Sequence, residues 1–421
     1  MKNLRLTDHF FSVPLDHSRP DADRITVFAR EITSAAFGPA ETARLPWLLY
    51  LQGGPGGRGI RPIDDSGWIK EAVKEFRVLM LDQRGTGLST PANRQTLPAV
   101  GDAAAQAQYL SHFRADSIVA DAEFIRGALG SGPWSVLGQS FGGFTALTYL
   151  SFAPEGLREV LITGGLAPLD GHPDQVYRAT FQRLAVRNAE YFTRYPGDRA
   201  TVTDIVRHLQ RTAEYLPSGE RLSPERFLLV GNYLGGNVRI DCLHYLLEDA
   251  FLTNADGIRL SDTFLEQVEA QVSRRSNPLY AILHESIYCH GEASRWSASR
   301  ILAEHPDFAA DSPNPLMTGE MVYPWYFQQD PALLPLRDVA DLLAERTDWP
   351  ALYDPEQLAR NTVPVACAVY LDDIYVDHDL SMRTAAAVKG LQAWETGDFH
   401  HDGLADEGEA IFARLLSMVR D

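Results

Sequence analysis

The chain has 421 residues, of which 45% are hydrophobic and 22% are charged, so it can bury a large core and is neither disordered nor fibrous. Its 38 basic and 56 acidic side chains leave a net charge of −18, which argues against nucleic acid or an anionic membrane surface as a partner and favours a cationic or neutral small substrate. Three scattered cysteines, a start without an apolar signal core, and no apolar stretch near the ~18 residues that span a bilayer predict a soluble protein of the reducing cytoplasm.

The first part of the chain predicts a sheet built from alternating strands and helices. Two β-prone runs within residues 4–32 are separated by proline and aspartate, which is typical of a hairpin. Residues 45–51 and 76–81 are apolar runs that precede glycine-rich turns, as expected of strands buried on both faces, and a short helix fits between them. The next expected elements are a helix, a strand, a helix and a strand, at 116–129, at 134–137, from 141 onward and at 160–163. This alternation predicts a parallel α/β sheet.

The middle of the chain has a different character. From about residue 168 to residue 348 the apolar period is mostly helical, and strands do not alternate with helices. Alternation resumes with a strand, a helix, a strand and a final helix, at 363–371, 380–388, 391–396 and 405–419. We therefore expect residues 1–167 and 349–421 to form one α/β core, and residues 168–348 to form a helical cap inserted into it.

The strongest chemical signal is the hexapeptide Gly-Gln-Ser-Phe-Gly-Gly at residues 138–143. It matches G-x-S-x-G between an apolar run and a helix rich in small residues, which is the context of a nucleophile elbow. There the hydroxyl of Ser140 is exposed at a helix N-terminus, where backbone N–H groups favour a developing negative charge. A chance pentapeptide in a glycine-rich loop is the alternative, and the strand-turn-helix context argues against it.

A serine hydroxyl needs a general base to attack a carbonyl, and in this architecture the base follows the nucleophile and a carboxylate in the chain. His378, His400 and His401 lie in the last part of the predicted sheet. His400 and His401 follow the strand at 391–396 in a loop, and two neighbouring side chains do not both point at one serine. We favour His401, because it directly precedes Asp402 and Gly403; a solvated loop is the alternative for the pair.

The carboxylate that orients the base is expected just after the preceding strand. The first two acidic residues after that strand are adjacent, so the alternation of the strand sends their side chains to opposite sides of the sheet. Two further aspartates follow a few residues later. From pattern alone, the candidates are Asp372, Asp373, Asp377 and Asp379.

The glycine-rich loop at residues 52–59 is suited to complete an oxyanion hole, because missing side chains let a backbone amide approach a substrate carbonyl. We expect the N–H groups of Gly54 and Phe141 to be the two donors.

Residues 54–59 also match G-x-G-x-x-G, but Pro62 follows where a dinucleotide site would open a helix. His284 and Glu285 begin like a zinc helix, yet Tyr288 occupies the position of the second histidine, so neither an organic cofactor nor a metal is expected.

Three segments combine into a family resemblance: Gln-Gly-Gly-Pro-Gly at 52–56, Asp-Gln-Arg-Gly-Thr-Gly-Leu-Ser at 82–89, and the hexapeptide at 138–143. Together they resemble the proline iminopeptidase (prolyl aminopeptidase) family of α/β-hydrolases, in particular its longer members. The resemblance implies an α/β-hydrolase fold, with a mostly parallel sheet and an inserted helical cap. It selects Asp373, which an apolar residue follows, and it supports His401. Gln52 departs from the histidine of many members, at little expected cost because the amides form the hole.

The resemblance also implies how a substrate is held. Family members bind the free amine of an N-terminal proline through acidic side chains of the cap, with aromatic groups around the pyrrolidine. By resemblance, Glu285 is the first choice for that carboxylate and Glu320 is the second; a solvated helix position is the alternative for either. Tyr288, Trp325 and Phe141 are candidate walls of the pocket, although aromatic residues at such positions also serve as core.

These observations predict a serine peptidase that removes an N-terminal residue, proline by preference, from small peptides through an acyl-enzyme, without metal or organic cofactor. An esterase, a lactonase or a broader aminopeptidase would use the same Ser140, Asp373 and His401, because fold and nucleophile do not choose the acyl group. A catalytically silent binding protein with a hydrolase fold is the alternative from another class. The sequence predicts no particular oligomeric state.

Overall fold

A computed structural model of the chain describes residues 3–255 and 257–420. Within these residues, eight strands form the main sheet and two form a separate hairpin: β1 (Leu4–Pro14), β2 (Arg24–Ser34), β3 (Trp47–Leu51), β4 (Arg77–Asp82), β5 (Trp134–Gln139), β6 (Leu157–Thr163), β7 (Phe251–Asn254), β8 (Gly257–Leu260), β9 (Val365–Tyr370) and β10 (Leu391–Thr396). The main sheet has the order β1-β2-β4-β3-β5-β6-β9-β10. Strand β2 pairs antiparallel with β1 and β4, and the other neighbours are parallel. The mostly parallel sheet predicted from the sequence is confirmed.

The helices of the described residues are α1 (Pro39–Thr42), α2 (Gly67–Ala72), α3 (Ala103–Leu110), α4 (Ala115–Ala128), α5 (Phe141–Phe152), α6 (Pro173–Arg194), α7 (Asp198–Arg211), α8 (Pro224–Leu228), α9 (Arg239–Glu248), α10 (Asp262–Val272), α11 (Pro278–Leu283), α12 (Ser297–Leu302), α13 (Tyr326–Gln329), α14 (Arg337–Ala344), α15 (Pro355–Ala359), α16 (His378–Ala387), α17 (Gly403–Asp406) and α18 (Gly408–Met418). The single helix expected at 405–419 is thus two helices, α17 and α18. No helix among the described residues has the length and apolar character needed to span a membrane.

Apolar layers cover both faces of the sheet. In β3, Leu49 and Leu51 belong to the larger layer, which includes α5, while Leu48 and Tyr50 belong to a smaller layer that includes α18. Successive side chains of a strand point to opposite faces, so a strand covered on both sides must be apolar throughout. This is why a continuous apolar run at residues 45–51 predicted a buried strand.

Helices α6 to α14 lie between β6 and β9 in the chain, where the sequence predicted a helical insertion. The insertion also contains the antiparallel hairpin of β7 and β8, which the sequence analysis missed. Both strands have four residues, and most of their side chains are exposed, so the alternation of buried and exposed positions that indicates a strand is weak there. The boundaries of the cap at residues 168 and 348 stay a prediction.

Helix α5 approaches the sheet most closely at Gly142. A Cβ atom at this position would lie 1.9 Å from the carbonyl oxygen of Leu51 in β3. We expect Gly142→Ala to lower the free energy of unfolding by about 3 kcal/mol, because the backbone of a central strand cannot move aside cheaply. Thermal or urea unfolding of the purified variant measures this effect.

Gly127 provides a matched control on an exposed helix surface. It lies in α4, and an added Cβ there would meet nothing within 4 Å. The same glycine-to-alanine change should therefore stabilise the protein by about 0.5–1 kcal/mol, through reduced backbone entropy of the unfolded chain. Equal effects of the two substitutions would contradict the close approach at Gly142.

Candidate active site

Ser140 stands on the sharp turn between β5 and α5. Its backbone has φ 53° and ψ −124°, a conformation that residues other than glycine rarely adopt. The turn is held by hydrogen bonds on both sides: the N–H of Ser140 donates to the carbonyl of Thr163 in β6 at 3.0 Å, and the N–H of Gly143 donates to the carbonyl of Ser140 at 2.7 Å. The strained turn expected of a nucleophile elbow is present, and it places the side chain at the N-terminus of α5.

His401 and Asp373 form a buried pair at the ends of two neighbouring strands. Nδ1 of His401 lies 2.7 Å from Oδ2 of Asp373. The other carboxylate oxygen, Oδ1, accepts hydrogen bonds from the N–H groups of Tyr375 and Val376 at 2.8 and 3.0 Å. The carboxylate is therefore fixed on both oxygens. With the proton held on Nδ1, Nε2 of the imidazole is left to act as a base.

The charge state of His401 depends on two opposing effects. Burial lowers the pKa of the imidazole, but the carboxylates of Asp373 and Glu320 outweigh burial, and the net pKa shift is upward. An imidazolium formed during a reaction would therefore be stabilised in place. The edge of the Tyr375 ring also contacts the imidazole, with ring centroids 4.7 Å apart.

The other candidates for the general base and its orienting carboxylate either form hydrogen bonds with other residues or have no histidine–carboxylate contact of this kind. His378 lies between Asp379 and Glu395, at 3.0 and 2.8 Å. Asp377 accepts from the N–H of Leu380 at the start of α16 and from Arg183. Nδ1 of His400 is buried, and no partner lies within hydrogen-bond distance among the described residues. Only His401 and Asp373, of the candidates raised, have the geometry of a base and its orienting carboxylate.

The glycine-rich loop lies directly against the serine. A Cβ at Gly53 would be 2.9 Å from Cβ of Ser140, so the loop backbone lies close to the serine. The N–H groups of Gly54 and Phe141 stay the predicted oxyanion donors. Phe141 is the first residue of α5, and its N–H has no acceptor within the helix. The next helix after the loop begins only at Gly67, which removes the support for a dinucleotide site.

A cavity of about 390 Å³ opens between this loop, the end of β5 and the cap. The core contributes the side chains or backbone of Gly54, Ser140 and His401, and the cap contributes Arg274, Tyr280 and Glu320. A cavity of this size accommodates a small ligand. The proposed nucleophile and base thus share one small space with an acidic side chain from the insertion.

Glu320 is a carboxylate whose pKa lies near neutral pH. Burial raises its pKa to about 7, against the opposing effects of His401, the Tyr280 hydroxyl and Arg274. A cation bound in the cavity would favour the ionised form further. The site can therefore pair a substrate ammonium with Glu320.

Glu285, the first choice for that role, occupies a different place. It is buried, and its two oxygens accept hydrogen bonds from the N–H groups of Ser297 and Ala298, at 3.1 and 2.9 Å. It does not line the cavity. Glu285 instead caps the N-terminus of α12, whereas Glu320, the second choice, lines the cavity. Which glutamate binds a substrate amine stays a prediction.

The expected aromatic walls also lie behind the cavity surface. Tyr288 is buried and packs against Phe144 of α5, with ring centroids 5.6 Å apart. Trp325 stacks on Tyr323 at 5.2 Å. Neither of these residues lines the cavity, and Phe141 is also not among the residues that line it.

Sequence reasoning missed several residues of the cavity. Tyr375 follows Asp373 by two residues, and its hydroxyl donates to the carbonyl of Asn232 in the insertion at 2.6 Å. Tyr280 and the two arginines, Arg239 and Arg274, come from separate parts of the cap. The position of Tyr375, two residues after the predicted carboxylate, could have indicated a residue of the site, whereas no sequence pattern marks the cap residues.

Comparisons with known proteins find a matching family model, two similar relatives that match over nearly their full length, and solved structures of low sequence identity. Residues 46–239 match the family model described as the alpha/beta hydrolase fold. A proline iminopeptidase from Aeromonas sobria is 50% identical, and the match covers 100% of this chain and 98% of that protein. Another from Aspergillus aculeatus is 37% identical, with 99% and 94% covered. The solved proline iminopeptidase of Mycobacterium smegmatis has a TM-score of 0.45 at 13% identity, with 98% of both chains covered.

Proposed function

The chain belongs to the proline iminopeptidase family of α/β-hydrolases, and from that premise we propose that it releases N-terminal proline from small peptides, using Ser140 as nucleophile, His401 as base and Asp373 as orienting carboxylate. The observation that carries the assignment is the shared cavity. A serine on a strained turn, an imidazole paired with a buried carboxylate, and a cap glutamate all border the same small space.

The reaction begins when Oγ of Ser140 attacks the carbonyl carbon of the N-terminal residue while Nε2 of His401 takes the hydroxyl proton. The N–H groups of Gly54 and Phe141 would stabilise the negative charge on the carbonyl oxygen. His401 then donates its proton to the nitrogen of the departing peptide, and the C–N bond breaks. An acyl-enzyme remains, and water, activated by the same imidazole, hydrolyses it to free proline.

Glu320 supplies the selectivity for a free N-terminus. Its carboxylate would pair with the ammonium of the proline ring, and a blocked N-terminus would leave that charge without a partner in a partly buried site. The net charge of −18 also favours the approach of a cationic group. An esterase with the same nucleophile would have no need of such a carboxylate.

Substrate profiling tests this function. We expect kcat/KM to be highest for a proline arylamide, and to fall by about 10³-fold when the proline nitrogen is acetylated, because the acetylated substrate lacks the charge that Glu320 binds. An alanine arylamide and p-nitrophenyl acetate complete the series. Faster turnover of the ester than of the proline arylamide would favour the esterase alternative, and failure of a fluorophosphonate to label the protein would favour the silent binding protein.

We also propose that the enzyme acts in the cytoplasm. Cys242, Cys289 and Cys367 are all free thiols in the structure, which suits a reducing compartment. Cell fractionation with an antibody to the protein tests this location.

A further inference from the structure

The active-site cavity contains a guanidinium that the proposed mechanism does not use. Arg274 follows α10, and its side chain lines the cavity beside Tyr280 and Glu320. The guanidinium lies over the ring of Tyr280, 4.4 Å from its centroid, and near the ring of Tyr326 at 5.8 Å. Its Nε atom is buried and has no hydrogen-bond partner in the part of the chain that the structure describes. Arg274 is thus positioned by aromatic rings, and its Nε donor is not used by the described residues.

The charge of Arg274 has no close counter-ion, unlike that of its neighbours. Across residues 3–255 and 257–420, no carboxylate oxygen lies within 4.0 Å of its guanidinium. Arg239, the other arginine of the cavity, pairs with Asp402 at 3.0 Å, and Arg275 is exposed and pairs with Glu269 at 3.8 Å. Asp330 bonds to the backbone N–H of Arg274 at 2.7 Å and pairs with a different arginine. Burial lowers the pKa of the Arg274 guanidinium, but Tyr326, Tyr280, Glu320 and Asp330 outweigh burial and the net shift is upward. The guanidinium therefore stays charged in the cavity and can bind an anion.

The dimensions of the cavity limit which anion fits. One residue of extended chain spans about 3.3–3.6 Å, so the two ends of a dipeptide lie about 7 Å apart. Glu320 and Arg274 both line one cavity, which has a volume of about 390 Å³. A dipeptide carries an ammonium at one end and a carboxylate at the other, which matches the two opposite charges in that space.

We propose that Arg274 binds the C-terminal carboxylate of the substrate, and that the enzyme therefore prefers proline dipeptides to longer or C-terminally blocked peptides. This inference rests on the proposed function. The planar guanidinium can hold a carboxylate through two parallel N–H···O bonds, which an amide at the same position cannot accept equally well. In a longer peptide the carboxylate lies beyond the reach of Arg274.

Three substrates that share the N-terminal proline test the proposal: Pro-Gly, Pro-Gly-amide and a proline arylamide. For the wild-type protein, we expect kcat/KM for Pro-Gly to exceed that for Pro-Gly-amide by about 10-fold or more, as loss of a charge-assisted pair implies. Arg274→Met should abolish that preference by lowering kcat/KM for Pro-Gly at least about 10-fold more than kcat/KM for the amide or the arylamide. A smaller loss on all three substrates is expected as well, because Arg274 lowers the pKa of Glu320, the proposed partner of the substrate ammonium.

Arg275→Met is the matched control, because it removes the same charge from the adjacent, exposed position and should keep the preference for Pro-Gly. Arg274→Lys retains the positive charge but cannot form the two parallel hydrogen bonds of a guanidinium, so it should keep part of the preference for Pro-Gly. This variant also provides a test if the methionine variant does not fold. Equal kcat/KM of the wild type for Pro-Gly and its amide, or an equal loss on all three substrates in Arg274→Met, would overturn the proposal. Failure of the wild type to release proline from any of the three would instead overturn the proposed function, and this inference with it.

Discussion

Ser140→Ala should lower kcat for a proline arylamide by about 10⁴-fold or more and should abolish labelling by a fluorophosphonate. The loss is expected to be this large because the hydroxyl oxygen is the atom that forms the acyl-enzyme, and no other group in the cavity replaces it. The fold should persist, since alanine and serine have similar preferences at the strained φ of 53°. Steady-state kinetics and the melting temperature together measure the two effects.

Ser151→Ala is the control for this experiment. Ser151 lies at the far end of the same helix, where its hydroxyl bonds only to the carbonyl of Leu147, so activity and labelling should be unchanged. Asp373→Asn should lower kcat by about 10⁴-fold without abolishing acylation, because an amide at this position misorients the imidazole. Normal turnover by the alanine variant at position 140 would show that another residue is the nucleophile.

Glu320→Gln should lower kcat/KM for a proline arylamide by about 10²- to 10³-fold, with most of the change in KM. The amide is neutral, so the bound ammonium of the substrate would lose its counter-charge in a partly buried site. Hydrolysis of p-nitrophenyl acetate, which carries no charge, should be little changed. Comparing the two substrates separates loss of recognition from damage to the catalytic groups.

The pH dependence gives this second prediction an independent measurement. Glu320 has a pKa of about 7 and binds an ammonium only when ionised, and His401, whose pKa is raised, acts as a base only when neutral. Both requirements fail as the pH falls, so kcat/KM of the wild type should decrease steeply below pH 7. Because two groups must be deprotonated, a plot of log(kcat/KM) against pH should approach a slope of about two. In Glu320→Gln one of these groups is gone, and the other loses a neighbouring negative charge. Its profile should therefore be shallower and displaced to lower pH.

Glu285→Gln is the informative comparison for Glu320. Because Glu285 caps α12 and lies outside the cavity, its substitution should lower the melting temperature more than it changes KM. The opposite pattern, with a large rise in KM in Glu285→Gln and none in Glu320→Gln, would restore the assignment that the family resemblance favoured.

The core of the fold could be predicted from the sequence because its signals are local. A run such as residues 45–51 must be apolar to be buried on both faces, and the elbow at Ser140 needs glycine where α5 meets the sheet. Parallel strands end at one edge of a sheet, so a histidine and an aspartate after the last two strands were expected to meet there. The pattern left four aspartates open, and the family resemblance selected Asp373.

The cap side of the cavity could not be predicted in the same way. Arg274, Tyr280 and Glu320 come from three places in a helical insertion, and their meeting depends on how helices pack, which no short period or motif records. The family resemblance favoured Glu285, but the backbone at the start of α12, a dozen residues further along, donates hydrogen bonds to both of its oxygens. The structure thus pairs His401 with Asp373 as predicted, whereas the glutamate that lines the cavity is Glu320, the second choice, and not Glu285.

The short loop after β9 connects the α/β core to the insertion through hydrogen bonds and a ring contact. It carries Asp373, whose orientation depends on the N–H groups of Tyr375 and Val376, and the same Tyr375 contacts His401 and is anchored to the carbonyl of Asn232 in the insertion. A displacement of the insertion at that anchor would pull on the tyrosine, and through it on the orienting carboxylate. The orientation of the imidazole therefore depends in part on a contact that reaches into the insertion.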